Sequence, residues 1–357
     1  MSKFYTIGWD VGGAHLKAAL LDVDGVLLGT LQEACPLWRG LDNLAAAIDA
    51  VLKTFKINPH HAKHAITMTG ELVDLFSNRH EGVIEIAQFV KRLLGHQSQF
   101  YAANKGFVDI EQVAESTEYI ASTNWHASAS LIAPYCPDAL LVDIGSTTSD
   151  IIPIESGKVL SAALSDANRL QQDTLVYTGA IRTPVMALAQ KLTLEGVETN
   201  VMAEYFATMA DVYRLTGELD EAADMAETAD GKGKSPPESA RRLARMVGYD
   251  LEDKAMDVWV ELAFSCKSAQ IMQLKAAVLK HIKPNIALIG AGVGSFLVGA
   301  LAQQLNAAYY SVDAILANKM PAKSEFTSRS ISNSGLALEV CFPAYAVAQL
   351  SLKAIQT

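Results

Sequence analysis

Two short segments of the chain place an aspartate just before a glycine turn, at the point where an apolar strand ends. The first is Asp10-Val11-Gly12-Gly13 and the second is Asp143-Ile144-Gly145-Ser146. Small residues let an anion approach such a turn, and its backbone N–H groups can point at a phosphate. A carboxylate beside a phosphate suits Mg²⁺, which keeps most of its waters. We predict that Asp10 and Asp143 bind magnesium and act in catalysis; the alternative is that each only caps its own turn.

Small residues around both turns are the predicted phosphate contacts. They offer N–H groups and, in the second turn, hydroxyl groups: Gly12, Gly13, Gly145, Ser146, Thr147 and Thr148. Ser146 stands where the first turn has a glycine, so the second turn gains a hydroxyl donor and loses some backbone freedom. Lys17 lies on the strand that leaves the first turn, with the parity to face the phosphate. We predict a catalytic role for Lys17, with a surface lysine on an edge strand as the alternative.

A glutamate follows a short predicted strand at 64–69. Glu71 comes directly after Thr69-Gly70, and ligands of α/β domains bind at strand ends. We predict that Glu71 is the general base or the partner of a magnesium-bound water. A glutamate in the first turn of a helix, favoured by the helix dipole, would explain the same residue without chemistry.

Three further residues are candidate substrate contacts. Asn124 and Trp125 stand where a predicted helix begins, and the indole suits stacking on an aromatic substrate or a place in the core. Arg182 lies in a loop-like Gly-Ala-Ile-Arg-Thr-Pro segment. Its guanidinium suits a phosphate or a carboxylate of the substrate, and a surface ion pair is the alternative.

A third glycine turn follows a buried strand near the C-terminus and opens a predicted helix. Its glycines are Gly290, Gly292 and Gly294. A helix N-terminus attracts phosphate and polar ligand groups, so the turn is a candidate substrate- or nucleoside-binding site. Its GxGxG spacing and its position do not match a Rossmann dinucleotide turn. Close packing of a helix on a strand explains the glycines equally well.

The elements around the two aspartates follow one plan. Alternating apolar residues and turn signals predict strands at 4–10, 15–22, 26–32, 139–143, 148–154 and 158–163. Helical spacing predicts helices at 41–55, 81–94, 124–133, 199–215, 236–247, 251–281 and 343–355. The polar stretch 230–239 is predicted to be a solvated loop. Because the three-strand plan occurs twice, we expect two related domains.

The bulk composition bounds the function classes. A chain of 357 residues is long enough for two domains, and a net charge of −10 argues against nucleic acid as a partner. The four cysteines are scattered, without a CxxC pair, which favours reduced thiols in the cytoplasm. The N-terminal sequence lacks the apolar core of a signal peptide, and the apolar stretches are too short for a membrane span.

The order of the three turns along the chain resembles the actin-like ATPase superfamily, which includes sugar kinases, actin and Hsp70-type chaperones. The resemblance implies an α/β fold with two related domains, each a mixed sheet flanked by helices, and a central cleft. We assign 1–135 and 336–357 to the first domain. The second domain then covers 136–335, with a helical insertion around 186–280.

Five segments narrow the resemblance to one family. They are MTGELVDLF at 68–76, STNWHASASL at 122–131, DIGSTTSDI at 143–151, YTGAIRTPV at 177–185 and CFPAYAVAQL at 341–350. Together they resemble the hydantoinase/oxoprolinase-related family, and within it the proteins linked to tetrahydromethanopterin one-carbon metabolism.

That resemblance implies a transferase of methanofuran or methylofuran biosynthesis. The expected reaction joins an aminomethylfuran-methyl diphosphate to the phenol oxygen of a tyramine, a tyrosine or a glutamylated form, and releases diphosphate. Mg²⁺ is the expected cofactor, and ATP is compatible with the fold but not required. The expected partners are small molecules, with no nucleic acid and no membrane, and a homodimer is left open.

Two other function classes stay open from the sequence. An ATP-dependent small-molecule kinase or hydrolase of the same superfamily would use the third glycine turn for adenosine. A nucleotide-binding regulator or assembly protein would need extra domains or polymer contacts, for which 357 residues leave little chain.

Overall fold

The computed structural model describes residues 4–160, 164–317 and 337–354 of the chain. The contacts among them define two units. The first takes its residues from 1–138, 154–171 and 312–357, and the second from 139–153 and 172–311. The sequence-based boundaries place 154–171 and 312–335 in the second domain instead. The segment 154–171 adds a helix, Asp166–Gln171, from the second half of the sequence to the first unit.

The first unit is built on a six-stranded mixed sheet. Its strands are β1 (Tyr5–Val11), β2 (His15–Leu21), β3 (Leu27–Ala34), β4 (Ala62–Met68), β5 (Ser98–Tyr101) and β6 (Phe107–Val108). They lie in the order β3-β2-β1-β4-β5-β6, and β4 is parallel to both β1 and β5. The central strand β1 is buried along nearly its whole length, which explains its apolar run.

The second sheet repeats this order. Its strands and one separate hairpin are β7 (Ala139–Ile144), β8 (Ser149–Glu155), β9 (Lys158–Val159), β10 (Leu175–Val176), β11 (Lys191–Leu194), β12 (Val197–Asn200), β13 (Ala287–Ala291) and β14 (Tyr309–Ser311). The order β10-β8-β7-β13-β14 matches β3-β2-β1-β4-β5, with β13 parallel to β7 and β14.

The predicted strand at 158–163 differs from the structure. Only Lys158–Val159 is a strand, pairing with the last residues of β8, and residues 161–163 lie outside the described part of the chain. The third place in the repeat belongs to Leu175–Val176, which pairs with the start of β8. The repeat is therefore one of topology, and the chain reaches its third strand by a longer path in the second unit.

The helices lie mostly where the sequence predicts them. They are α1 (Leu41–Phe55), α2 (Arg79–Leu94), α3 (Ile110–Val113), α4 (Thr117–Ile120), α5 (Asn124–Ile132), α6 (Asp166–Gln171), α7 (Val185–Leu188), α8 (Met209–Thr216), α9 (Pro236–Met246), α10 (Met256–His281), α11 (Ser295–Leu305), α12 (Val312–Ala317) and α13 (Phe342–Lys353). Among the described residues, no helix is both long and apolar enough to cross a membrane.

The predicted helix at 199–215 is wrong in its first half. Residues 199–200 are the last two of strand β12, which forms a hairpin with β11. Residues 201–208 are not helical, and helix α8 begins only at Met209. Glu195 and Gly196 have φ values of 47° and 76°, as a two-residue hairpin turn requires. The β-branched Val197 and Thr199 then favour a strand over a helix. The region 186–280 is therefore a hairpin with helices rather than a purely helical insertion.

Each unit has its own hydrophobic core. In the first unit the C-terminal helix α13 contacts β1, β2 and β4, as the sequence predicts for a helix returning to the first domain. Gly8 of β1 permits this packing, because a Cβ there would overlap the backbone of Ala344. In the second unit β7 and β13 pack with helices α8 to α11 around buried Trp259 and Tyr213.

The predicted solvated loop at 230–239 is held in place by the buried guanidinium of Arg242. Arg242 is fully buried and donates to Asp230 Oδ1 at 3.0 Å and to the Gly233 carbonyl at 3.1 Å. Its other nitrogens bind the buried Asp211 at 2.7 and 2.9 Å. Lys234 donates to the Asp224 carbonyl at 2.6 Å. The Lys234 ammonium is therefore paired within the protein, next to this loop.

Candidate active site

The first aspartate turn joins β1 to β2. Asp10 is buried and lies directly opposite Lys17 in the β1–β2 ladder, so both side chains occupy the same face of the sheet, as the strand parity predicts. The Gly12 N–H donates to the His15 carbonyl at 3.0 Å and closes the turn. A Cβ on Gly12 would lie 2.8 Å from that carbonyl, so the tight turn requires glycine.

The second aspartate turn joins β7 to β8 with the same backbone pattern. Asp143 is buried near the end of β7, and the Gly145 N–H donates to the Thr148 carbonyl at 2.9 Å. The Ser146 carbonyl accepts a hydrogen bond from the Arg182 N–H at 2.8 Å. The Ser146 hydroxyl oxygen is buried and has no hydrogen-bond partner among the described residues. It is a donor available to a ligand held at this turn.

Arg182 lies beside the second turn, in a loop that rests on it. Gly179 of this loop is so close that a Cβ would lie 2.5 Å from the Ser146 carbonyl carbon and the Thr147 nitrogen. The Arg182 guanidinium is exposed, and its Nη1 lies 3.5 Å from Thr147 Oγ1. A cation at the rim of an anion-binding turn suits a phosphate.

The third glycine turn packs against the second one within the same unit. The Gly294 N–H donates to the Ile144 carbonyl at 2.8 Å, and Gly292 has a φ of 81°. A Cβ on Gly292 would overlap the carboxylate of Asp143, and a Cβ on Gly290 would lie 2.9 Å from the Tyr309 ring. Packing therefore explains these glycines, and the turn also brings the start of α11 close to Asp143.

Glu71 is a buried carboxyl just past the end of β4. It lies in a short 3₁₀ turn, Gly70–Leu72, and its side chain is 1% exposed. Ser122 Oγ donates to Glu71 Oε1 at 2.6 Å, and Oε2 has no hydrogen-bond partner among the described residues. Burial raises the pKa of Glu71 to about 7 against the opposing effect of the Ser122 hydrogen bond. Such a group can take or give a proton near neutral pH.

Three residues that the sequence did not single out surround this carboxyl. Ser122 lies between α4 and α5 with a φ of 51°, in the left-handed region. Its hydroxyl is 3.4 Å from Asp166 Oδ2, and Arg79 Nη2 donates to that same oxygen at 2.6 Å. Ser122 falls in the segment STNWHASASL used above for the family resemblance. Nothing in the sequence links Arg79 and Asp166 to Glu71, because the contacts are tertiary.

Trp125 and Asn124 begin helix α5, close along the chain to Ser122. Trp125 is buried, and the guanidinium carbon of Arg169 lies 4.0 Å from the centre of its ring. The indole N–H has no hydrogen-bond partner in the described part of the chain. Asn124 Oδ1 accepts the Trp125 backbone N–H at 2.8 Å. One ring face is thus covered by a cation, and the free indole N–H is the group left for a ligand.

The predicted metal residues Asp10 and Asp143 suit a magnesium ion that keeps most of its water ligands. Across 4–160, 164–317 and 337–354, no three side chains of His, Cys, Asp or Glu cluster as a preformed metal site. Mg²⁺ held by one or two carboxylates, by waters and by substrate phosphates needs no such cluster. Asp10 and Asp143 each offer one buried carboxylate beside a turn, and the orphan Ser146 hydroxyl adds a polar group there.

Comparison with known proteins agrees with the motifs. A family model described as hydantoinase/oxoprolinase matches residues 63–324. A curated protein of Methanocaldococcus jannaschii is 33% identical over 262 residues, which are 73% of this chain and 77% of that protein. One of Methanococcus vannielii is 33% identical over 159 residues, 43% of this chain and 71% of that protein. Both are named (4-{4-[2-(gamma-L-glutamylamino)ethyl]phenoxymethyl}furan-2-yl)methanamine synthase.

Solved structures resemble the chain in fold. A nucleotide-free structure of acetone carboxylase superposes with a TM-score of 0.53 and 10% identity, over 97% of this chain and 70% of that one. Component A of (R)-2-hydroxyglutaryl-CoA dehydratase of Acidaminococcus fermentans gives a TM-score of 0.49 and 13% identity, over 99% and 100% of the chains. The repeated strand order and the superposition on acetone carboxylase confirm the predicted α/β fold of the actin-like ATPase type.

Proposed function

This chain belongs to the hydantoinase/oxoprolinase family, and from that membership we propose that it is a transferase of methanofuran or methylofuran biosynthesis. The observation that carries the proposal is the 33% identity, over 73% of the chain, to a curated synthase of the furan-methanamine product. The proposed reaction joins an aminomethylfuran-methyl diphosphate to the phenol oxygen of a glutamyl-tyramine or a related phenol. Diphosphate is the leaving group.

Each aspartate turn is a proposed phosphate-binding element for the diphosphate. As the C–O bond to diphosphate breaks, negative charge grows on the leaving oxygens, and aimed N–H groups and cations stabilise it. The N–H and hydroxyl groups of Gly12, Gly13, Gly145, Ser146, Thr147 and Thr148 are the proposed contacts. The unpartnered Ser146 hydroxyl and the nearby Arg182 guanidinium support this assignment. Lys17, which shares a face with Asp10, is proposed to contact phosphate at the first turn.

Asp10 and Asp143 are the proposed magnesium-binding residues. When bound, Mg²⁺ would neutralise charge on the departing diphosphate and hold its oxygens. The buried position of both carboxylates beside the turns supports the assignment. The close approach of Gly292 would keep the Asp143 side chain in one orientation.

Glu71 is the proposed general base. A phenol has an ordinary pKa near 10, so a base that removes its proton during attack speeds the reaction at neutral pH. Glu71 carries one buried oxygen without a partner and a pKa raised to about 7 by burial. In the step, the phenol proton moves to Glu71, the phenol oxygen bonds to the furan methylene, and the bond electrons leave with diphosphate.

Asn124 and Trp125 are the proposed contacts to the organic part of the substrates. The free indole N–H of Trp125 suits an acceptor oxygen such as the furan oxygen or an amide carbonyl. Gly290, Gly292 and Gly294 are proposed to shape the site by packing.

Product analysis tests the proposed reaction. The enzyme is incubated with the furan diphosphate, Mg²⁺ and, in separate reactions, tyramine, tyrosine and their γ-glutamyl forms, without ATP. Mass spectrometry should find the phenyl ether and an equal amount of diphosphate with at least one phenol. Absence of ether with every phenol, while ATP is converted to ADP in a parallel reaction, would overturn the proposal.

An ATP-dependent kinase or hydrolase is the second candidate. The observation that favours it is the third glycine turn, which follows a parallel strand and opens helix α11 in the position of a nucleoside-binding turn. Isothermal titration with ATP and with the furan diphosphate separates the two candidates. Tight binding of ATP together with ADP release would favour the kinase or hydrolase.

We further propose that the enzyme works in the cytoplasm, with small molecules as its only partners. None of the four cysteines, all in the described part of the chain, forms a disulfide, which is in keeping with a reducing compartment. Cell fractionation tests the location. A homodimer is the oligomeric state to be tested, by light scattering of the purified protein.

A further inference from the structure

The two oxygens of the Glu71 carboxyl have different surroundings. Oε1 accepts the Ser122 hydroxyl at 2.6 Å, whereas Oε2 is buried with no hydrogen-bond partner among the described residues. A buried polar atom without a partner is costly, so such atoms mark places where a ligand or water completes the site. The arrangement leaves Oε2 as the oxygen available to a substrate.

Ser122 is placed for this contact at a conformational cost. Its φ of 51° lies in the left-handed region, which a residue with a Cβ adopts reluctantly. Strain of this kind persists only where the surrounding structure enforces it, and it concentrates at functional sites. The turn between α4 and α5 thereby aims the Ser122 hydroxyl at Glu71.

A charged pair lies behind Ser122. Asp166 Oδ2 is 3.4 Å from Ser122 Oγ and accepts from Arg79 Nη2 at 2.6 Å. Arg79 is the first residue of α2, and Gly82 of the same helix packs on Glu71 so closely that a Cβ would lie 2.6 Å from the Glu71 carbonyl oxygen. Helix α2 therefore contacts both the backbone of Glu71 and the charged pair.

Asp166 comes from the short helix α6, which is fixed to the first unit at a second point. Arg169 lies three residues after Asp166, so the two side chains share one face of α6. The Arg169 guanidinium covers one face of the buried Trp125 ring. The two contacts hold α6 against the Ser122–Trp125 segment and fix the position of Asp166.

We propose that Arg79, Asp166 and Ser122 form a positioning chain that holds Glu71 Oε1 and directs Oε2 to the phenol. The proposal rests on the proposed role of Glu71 as the general base. The Ser122 hydroxyl has a single proton, which it donates to Glu71 as long as Arg79 neutralises Asp166. None of the three touches the reacting atoms, so each acts through Glu71.

Burial is the main cause of the raised Glu71 pKa, and the positioning chain adjusts that pKa further. The charged groups that act on its carboxyl are Asp166 of α6, which raises its pKa, and Arg79 of α2, which lowers it. The Ser122 hydrogen bond stabilises the ionised form and lowers the pKa as well. Removing Asp166 charge and removing the Ser122 hydroxyl should therefore shift the Glu71 pKa in opposite directions.

Carboxyl ¹³C NMR of the protein labelled at glutamate tests the chain without turnover. The Glu71 signal is assigned by its loss in Glu71→Gln. Asp166→Asn should lower the Glu71 pKa by about 1 pH unit, and Ser122→Gly should raise it by about as much. Glycine is chosen because it accepts the φ of Ser122 without strain, so the variant loses the hydroxymethyl group and the backbone conformation is kept.

A matched control removes charge nearby without touching the chain. Asp74 is exposed and lies three residues after Glu71, so Asp74→Asn changes the net charge equally and should leave the Glu71 pKa unchanged. The proposed positioning chain is overturned if Asp166→Asn and Asp74→Asn both give the same Glu71 titration as the unaltered protein. Equal downward shifts in both would also overturn it, since they would reflect only net charge.

Steady-state kinetics link the chain to the proposed reaction. In Asp166→Asn the acidic limb of kcat/KM should move to lower pH, and in Ser122→Gly to higher pH, with KM for the furan diphosphate unchanged. If the two variants shift the Glu71 pKa in opposite directions but the unaltered protein forms no ether, the positioning chain is supported and the synthase proposal is overturned. Normal ether formation with unshifted NMR and kinetic titrations would overturn the chain alone.

Discussion

The two units share one strand order, but different residues follow the parallel strand that lies next to each aspartate strand. In each unit the strand that ends in the aspartate turn has a parallel neighbour, β4 in the first unit and β13 in the second. Thr67 of β4 lies opposite Asp10, and Ala291 of β13 lies opposite Asp143. The residues four positions after them are Glu71 and Ser295, respectively. The first unit therefore has a buried carboxyl where the second has the start of helix α11.

The backbone around these strand ends is nearly the same. In the first unit the Thr69 N–H donates to the Val11 carbonyl at 2.9 Å, and in the second the Gly294 N–H donates to the Ile144 carbonyl at 2.8 Å. The difference is one extra residue in the second unit, with Gly292 in the left-handed region. With the extra residue the chain continues directly into a helix N-terminus, where the helix dipole favours anions.

The difference suggests a division of labour between the two copies of the plan. In the proposed reaction the strand end of the first unit carries the general base Glu71, whereas the second unit adds the Ser146 hydroxyl and the Arg182 guanidinium beside its aspartate turn. A transferase with a diphosphate leaving group needs both functions.

Glu71→Gln should cause the largest loss. Removal of a general base lowers kcat by about 10²- to 10⁴-fold. Binding of the furan diphosphate, measured by titration calorimetry, should be unchanged. In the unaltered enzyme kcat/KM should rise with pH through about 7, because the base acts when deprotonated and its pKa is raised to that value. Unchanged turnover in the variant would remove Glu71 from the mechanism.

The same substitution should stabilise the protein at alkaline pH. Because the folded pKa of Glu71 lies above its ordinary value of 4.5, its protonated form favours folding, and that contribution is lost as pH rises toward and past about 7. Above pH 8 the Gln variant should be more stable by roughly 3 kcal/mol, and at pH 4 by little. Thermal unfolding across this pH range measures it. A stability difference that does not depend on pH would contradict the raised pKa.

Gly292→Ala should disable the second strand end. The new Cβ would overlap the carboxylate of Asp143 in a backbone conformation that already disfavours alanine. We expect roughly a 100-fold loss of kcat/KM, on the scale of about 2.7 kcal/mol. Gly196→Ala is the matched control, because its φ is 76° and nothing lies within 4 Å of the added Cβ. The control should lose about 1 kcal/mol of stability and keep its activity.

Arg182→Ala should weaken diphosphate binding more than it slows chemistry. The exposed guanidinium lies next to Thr147 at the second turn, and one charge-assisted contact near the surface is worth about tenfold in affinity. KM for the furan diphosphate should rise by about that factor, with KM for the phenol unchanged. Arg182→Lys keeps the positive charge but loses the paired donors of the guanidinium. Its KM for the furan diphosphate should therefore lie between the values for the unaltered enzyme and for Arg182→Ala. A rise in the KM of the phenol instead would assign Arg182 to the acceptor.

Ser146→Gly should have the smallest effect, because it gives the second turn the glycine pair of the first. The hydroxyl that is lost has no protein partner among the described residues, so the fold loses nothing by it. We expect about a threefold loss of kcat/KM, from one neutral contact to the anion. Thr148→Ser is a control that keeps every hydroxyl. A 100-fold loss in Ser146→Gly would show that the hydroxyl, and not the backbone, holds the diphosphate.

The sequence predicts the parts of this comparison that depend on local patterns. Alternating apolar residues and the Asp-Gly turns locate β1, β2, β7 and β8 within two residues. The hairpin at Glu195-Gly196 was missed because the helical spacing of the residues after it outweighed one two-residue turn. A turn of two residues carries little weight in a window of helical length.

The surroundings of Glu71 lie beyond what the sequence can predict. Its position after a strand was visible, but its burial and hydrogen bond to Ser122 depend on a partner 51 residues away. Asp166 and Arg79 are 87 residues apart and meet only because α6 folds onto the first unit. Charged residues in solvated-looking helices give no local signal of such a pairing, and the burial of Arg242 at the loop 230–239 was missed for the same reason.

The most direct test of the account follows the phenol oxygen. A γ-glutamyl-tyramine labelled with ¹⁸O in the phenol is incubated with the furan diphosphate, Mg²⁺ and enzyme, without ATP. Mass spectrometry then measures the ¹⁸O content of the ether and of the diphosphate. Attack of the phenol oxygen on the furan methylene predicts that all of the label appears in the ether and none in the diphosphate. Label in a phosphorylated phenol, or ether that forms only when ATP is added and ADP is released, would contradict it.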